Sequence, residues 1–236
     1  MDIVTEKIEL AVADGTRMAA YVARPDDRDP HAGLIVVQEA FGVNNHIRAV
    51  TRRFAEAGYV AISPDMFHRT APGFESGYQD IGPALKEMQA MTDAGMEQDL
   101  KAAYDWLRGQ SGVVADRVGA IGYCMGGRAA FLANSALPLK AAVSYYGGGI
   151  AQTLLGRAGQ LAGPMLLFWG GRDQHISVAD TRAIADALRA AKKPFVDVMF
   201  SSADHGFFCD ERASYDVAAA SQAWALTQAF FRSHLG

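Results

Sequence analysis

Short apolar runs recur along the chain, separated by glycine and polar turns, and stretches with helical spacing lie between them. Phe195 to Phe200, interrupted by Asp197, predicts a strand, while Leu34-Ile35-Val36-Val37, Tyr59 to Ile62, Val118 to Ile121, Ala141 to Ser144 and Met165 to Trp169 are too short and too apolar to be surface helices. They predict buried strands. Between them, His46 to Ala57 predicts a helix, as do Leu100, Ala103, Tyr104 and Leu107, which recur on one face of a 3.6-residue period. Ser177-Val178-Ala179-Asp180 predicts a capping box that opens a further helix with Ile184 and Leu188 inward. Val217, Ala220, Trp224 and Phe231 predict the buried face of the last helix. Lys7 to Ala13 and Arg17 to Ala23 flank Asp14-Gly15, the signature of an antiparallel hairpin.

Strands alternating with helices predict an α/β fold: a mostly parallel central sheet covered by helices on both faces. The segment Phe67 to Leu85, with its glycines and proline, reads as a lid or pocket loop. With 236 residues, half of them apolar, the chain can bury one sizeable core, and a single domain over residues 1–236 is expected.

Composition narrows the partners. The net charge is −4 with both signs interspersed, so no basic stripe suits nucleic acid. No apolar stretch approaches the ~20 residues needed to span a bilayer. The opening Met1-Asp2-Ile3-Val4-Thr5-Glu6 lacks a signal-peptide pattern, and a cytoplasmic monomer or small homo-oligomer is expected. The two cysteines, Cys124 and Cys209, fit neither a zinc spacing nor a disulfide framework. His31, His46, His68 and His175 show no ligand spacing either, so no metal and no cofactor is expected.

The chemistry concentrates at Gly122-Tyr123-Cys124-Met125-Gly126-Gly127, directly after the run Val118 to Ile121. Strand, sharp turn and helix in that order make a nucleophile elbow, with Gly122 and Gly126 keeping bulk away from the turn. Cys124 would stand at a helix N-terminus, where unpaired N–H groups and the helix dipole favour a thiolate. An elbow places its partners downstream in the order acid, then histidine. Asp173 follows the strand Met165 to Trp169 in a glycine turn, and His205 follows the strand Phe195 to Phe200. Asp204 is a rival acid, though adjacent residues in an extended loop point apart. Glu39 ends the strand Leu34 to Val37, where partial desolvation would allow proton exchange with a thiol. Backbone N–H groups of Met125 and Ala40 would form the oxyanion hole. Tyr145 and Tyr146 end a strand at the same rim, and one of them is expected to contact substrate.

The elbow with cysteine, the Gly171-Arg172-Asp173 turn, His205-Gly206-Phe207-Phe208 and Gln38-Glu39-Ala40-Phe41-Gly42 together resemble the dienelactone hydrolases of the α/β-hydrolase superfamily. The resemblance implies a hydrolase of esters or lactones acting through Cys124, Asp173, His205 and an acyl-enzyme. It also implies that Glu39 pairs with the resting thiol. Family members that act on dienelactone hold its carboxylate with two arginines. Here no arginine occupies the four positions after His205, and the segment Phe74 to Leu85 has no arginine or lysine. Arg69, Arg172 and Arg212 are nearby in sequence, and Arg69 and Arg212 are the candidate substitutes. Phe207 beside His205 instead suggests a more apolar substrate. A redox-sensing thiol protein and a non-catalytic binding scaffold are the competing readings of the same elbow.

Overall fold

The computed structural model describes residues 2–236. Eight strands, most of them parallel to their neighbours, alternate with helices, the α/β arrangement that the pattern of apolar runs predicts. The chain divides into two compact units, one ending at Ala120 and the other spanning Ile121–Gly236.

In the first unit, β1 (Ile3–Ala11) and β2 (Arg17–Pro25) form the predicted hairpin, antiparallel from Ile3 opposite Pro25 to Ala11 opposite Arg17. Gly15 turns the corner at φ +87°. Asp14 Oδ1 fastens it by accepting from the backbone and hydroxyl of Thr16, at 3.0 and 2.6 Å. β2 runs antiparallel to β4 (Tyr59–Pro64), and β4 runs parallel to β3 (His31–Val37). The crossover between β3 and β4 is α1 (Asn45–Glu56), which starts where the Asn44 side chain accepts from the Ile47 N–H. Its buried stripe is Ile47, Val50, Phe54 and Ala55. In α3 (Asp93–Arg108), Leu100, Ala103, Tyr104 and Leu107 are buried as their spacing predicts.

The expected loop from Phe67 to Leu85 is partly helix, because α2 spans Gly82–Ala90 with proline in its first turn. Only Ala84 and Glu87 of α2 are buried, so little apolar periodicity marks it in sequence. Its Ala84 packs with Ala40 and Phe41, against Phe74, Tyr78 and Met88. Upstream of it, Asp65 closes the loop by accepting from the Phe67 and Gly73 N–H groups at 3.0 and 2.7 Å.

β5 (Val113–Tyr123) leads into the second unit. There β6 (Ala141–Tyr145), β7 (Met165–Gly170) and β8 (Phe195–Phe200) lie parallel, with Ala142 opposite Met165 and Met165 opposite Phe195. The helices are α4 (Met125–Ala136), the short α5 (Ile150–Thr153), α6 (Val178–Ala190) and α7 (Val217–Leu235), with a 3-10 turn at Leu155–Gln160. The capping box of α6 is present: Ser177 and Asp180 satisfy each other's backbone N–H. On α7 the buried residues include Ala219, Ala220, Ala223, Thr227 and Phe231. Val217, expected on that face, is instead 64% exposed, because it begins the helix before the chain reaches the core.

An aromatic cluster forms the heart of this unit. Tyr145 packs on Tyr123, Phe168 and Phe208 with ring centroids 4.6 to 4.9 Å apart. Phe207 meets Phe200 edge to face at 5.3 Å. Burying one such side chain contributes roughly 1.5–3 kcal/mol, so this cluster is a firm floor for whatever stands above it.

Candidate active site

The elbow owes its shape to missing side chains. A Cβ on Gly122 would lie 1.8 Å from the Gly126 carbonyl oxygen, and one on Gly127 would lie 2.6 Å from that of Tyr145. Both are closer than a Cβ comes to a backbone oxygen, so glycine is required at each. The second glycine lets α4 approach β6, and the Cys124 N–H donates to Tyr145 O at 3.0 Å. Cys124 itself is held at φ +55°, ψ −118° as the cap of α4. A residue with a side chain pays conformational strain there, of order 1–3 kcal/mol. The strain presents the half-buried thiol at the N-terminus of a helix. Met125, the first residue of that helix, is buried, and its N–H belongs to the group that an α-helix leaves unsatisfied.

His205 follows β8 after a turn in which Gly206 takes φ +78°. Its ring Nδ1 pairs with Asp173 Oδ2 at 2.8 Å. The other oxygen of Asp173 accepts from the N–H groups of His175 and Ile176, at 2.7 and 3.0 Å. The acid is therefore fixed at both ends, and its side chain is 1% exposed. Asp204, the rival acid, accepts from the backbone N–H of His205 at 2.6 Å, while the ring belongs to Asp173. The imidazole also hydrogen-bonds the Cys124 side chain. Since Nδ1 is taken, that contact falls to Nε2.

Electrostatics follow from these contacts. Burial by itself would lower the basicity of His205. The negative charge on Cys124, the hydrogen bonds from Asp173 and Cys124 and the charge of Asp173 outweigh it, and push the imidazole up to about 10. Burial likewise opposes ionisation of Asp173. The hydrogen bond and charge of His205 and the two backbone donors prevail, and hold that carboxyl below its ordinary value. The Cys124 side chain, the His205 ring and the Asp173 carboxyl thus stand in a row.

Glu39 and Ala40 lie immediately after β3 in the first unit, and both are fully buried. The other residues considered at the rim divide differently. Tyr145 is in the core with its hydroxyl 2.7 Å from Thr227 Oγ1, and Phe207 is fully buried in the aromatic cluster. Both side chains are thus packed in the core, Tyr145 at the end of β6 and Phe207 directly after the φ +78° turn at Gly206. Their neighbour Tyr146, in the left-handed region at φ +39°, instead sets its ring 5.0 Å from that of His205. Arg69 is committed elsewhere: it donates to Asp14 Oδ2 at 2.7 Å and to both oxygens of Asp99 at 2.7 and 2.8 Å. Arg212 is next to the site. Its guanidinium lies against Gly206, within 2.4 Å of where a Cβ would stand. His175, which follows Asp173 by two residues in the chain and could line the site on that ground, has its ring 5.1 Å from that of His205.

Comparison with known proteins gives a consistent picture. A model of the dienelactone hydrolase family matches residues 18–235. A protein of Synechocystis sp., provisionally named carboxymethylenebutenolidase, is 38% identical over 228 residues, which is 93% of each chain. One of the same provisional name from Escherichia coli K12 is 35% identical and covers 95% of this chain and 85% of its own. Among solved structures, a provisionally named dienelactone hydrolase from Klebsiella pneumoniae superposes with a TM-score of 0.90 at 34% identity, over 98% of this chain and 99% of the other. A dienelactone hydrolase-like promiscuous phosphotriesterase from metagenomic libraries shares the fold, with a TM-score of 0.89 at 24% identity. The chain belongs to the dienelactone hydrolase family, hydrolases built on the α/β-hydrolase fold.

Proposed function

We propose that this hydrolase cleaves esters and lactones through a covalent thioester on Cys124, with His205 as proton carrier and Asp173 as its orienting acid. One observation carries the reading. His205 is held by Asp173 at 2.8 Å and hydrogen-bonded to a cysteine that stands, strained, at the N-terminus of α4. The thiolate attacks the carbonyl carbon, and the carbonyl electron pair moves onto oxygen. The N–H groups of Met125 and Ala40 receive that oxyanion; losing one such donor typically costs on the order of 100-fold or more in rate. Collapse expels the alkoxide or enolate, which takes the Nε2 proton of His205. The charge that held the imidazolium is now gone, so the ring is neutral and ready to accept a proton from water. Hydroxide adds to the thioester, the second collapse expels the thiolate, and the imidazolium–thiolate pair is restored.

A thiolate leaves its own tetrahedral adduct easily, so alkoxide leaving groups of unactivated esters compete poorly. Enol esters, conjugated lactones and aryl esters, whose leaving groups are stabilised, suit the site. With Arg69 bound to Asp14 and Asp99, Arg212, whose guanidinium lies against Gly206, is the candidate cation. Charged hydrogen bonds contribute roughly 1.5–3 kcal/mol each. Without a two-arginine clamp, neutral aryl or enol esters are expected to react at least as well as a carboxylate-bearing dienelactone. Glu39, as in the family it belongs to, acts on the proton of the Cys124 thiol; its complete burial suits proton exchange over solvation.

A panel of neutral and carboxylate-bearing esters and lactones, assayed with wild type, Cys124→Ala and Glu39→Gln, tests the scheme. Cys124→Ala is expected to fold and to be inert. Glu39→Gln is expected to fold, to turn over more slowly and to change the pH dependence of iodoacetamide alkylation. Hydrolysis by Cys124→Ala would end the nucleophile assignment. A strong preference for the carboxylate-bearing lactone, lost in Arg212→Ala, would restore the clamp.

A further inference from the structure

His205 has ring neighbours as well as hydrogen-bond partners. Tyr146 lies 5.0 Å away between ring centroids, inclined at 57°. It is fully buried, and its position is fixed by packing: its N–H donates to Phe168 O at 2.8 Å and its ring meets Phe207 at 5.3 Å. His175 is different. Its ring stands edge to face with that of His205, 5.1 Å away at 82°. The residue is exposed, and no hydrogen bond to its imidazole is found among the described residues. Its backbone is nonetheless firmly seated, because its N–H donates to Asp173 Oδ1 at 2.7 Å. The carboxylate that holds the His205 ring through one oxygen thus holds the His175 backbone through the other.

The ring is tethered covalently through Cβ–Cγ and held at Nδ1 by Asp173. Small rotations about the side-chain bonds still tilt the ring and move Nε2 relative to the sulfur, and packing against the ring opposes them. The geometry points to His175 as a positioning residue that, with Tyr146, holds the plane of His205. The inference rests on the triad reading given above. Its demand is greatest after acylation, when the thiolate no longer attracts the ring and the neutral imidazole must still aim at water.

The test uses an aryl ester whose first product is coloured, so that the acylation burst and the steady-state rate are read together. His175→Ala keeps the backbone N–H and removes the ring; His175→Phe restores a ring without a nitrogen. A ring–ring contact of ordinary strength predicts a burst of unchanged amplitude, a kcat lower by about 3- to 10-fold, a KM lowered in proportion and a kcat/KM within about twofold of wild type in His175→Ala. His175→Phe should recover kcat to within about twofold of wild type. A wild-type kcat in His175→Ala, or a His175→Phe as slow as the alanine variant, would overturn the inference. Cys124→Ala in the same assay separates the two ideas: if it still hydrolyses the ester, the triad reading has failed, whatever the His175 variants do.

Discussion

At the scale of single residues, the proposed chemistry depends on the pairing of Cys124 with His205. Two of the contributions that raise His205 to about 10 come from Cys124, its charge and its hydrogen bond. Alkylating Cys124 with iodoacetamide removes both. In the free protein the His205 Cε1–H resonance should titrate near pH 10, and after alkylation its midpoint should fall. A midpoint unmoved by alkylation would mean that thiol and imidazole are not paired. Sequence order singled out Cys124, Asp173 and His205 as candidates because each follows a strand, and their side chains do lie together. It was not enough to choose between Tyr145 and Tyr146. That choice turns on a φ of +39° at Tyr146, which residue type does not announce. Arg69 was equally unreadable, since its partner Asp99 lies on another element, α3. The aromatic pair after His205 looked like pocket lining for the same reason: the inward turn at Gly206 is a backbone event.

At the scale of elements, the approach of α4 to β6 decides whether the elbow forms. A Cβ on Gly127 would press on Tyr145 O at 2.6 Å and on Ser144 Oγ at 2.8 Å. Backbone cannot yield as a side chain can, so Gly127→Ala should destabilise by about 1–3 kcal/mol or more. Ser144 behaves oppositely. Its hydroxyl is buried with no hydrogen-bond partner among the described residues, so Ser144→Ala discards a polar group that satisfies nothing and should leave stability unchanged or raise it by up to about 1 kcal/mol. The double variant should remain destabilised, because the clash with Tyr145 O persists. Urea denaturation of the three proteins decides this; a Gly127→Ala as stable as wild type would remove the packing argument for the elbow. Elements with strong signals were legible: the Asp14-Gly15 hairpin, the periodic face of α3 and the capping box of α6. α2 was not, since a Gly82-Pro83 start and two buried positions leave no apolar stripe to read.

At the scale of the whole molecule, the same site ties stability to pH. Asp173 ionises more readily when folded, so its contribution is present above the ordinary carboxylate value near 3.8 and is lost as pH falls through its lower folded value. His205 holds its proton more tightly when folded. Its contribution is complete below about 6.5 and is lost as pH rises through about 10. Thermal unfolding across pH should therefore show a plateau with two shoulders; Asp173→Asn should flatten the acid shoulder and His205→Ala the alkaline one. Shoulders unchanged in both variants would show that the pair contributes nothing to folding. The fold class was open to reading across the entire length, because strand–helix alternation is set by apolar spacing; the identity of the substrate was not, because it depends on which side chains the loops turn outward. The central claim, a covalent thioester on Cys124, has one direct test. The protein is mixed with an activated aryl ester, quenched in acid within the first turnovers, and weighed intact before peptide mapping. The account predicts a mass increase equal to the acyl group, confined to the peptide that contains Cys124 and absent from Cys124→Ala. Turnover with no adduct on that peptide, or an adduct that persists in Cys124→Ala, would contradict it.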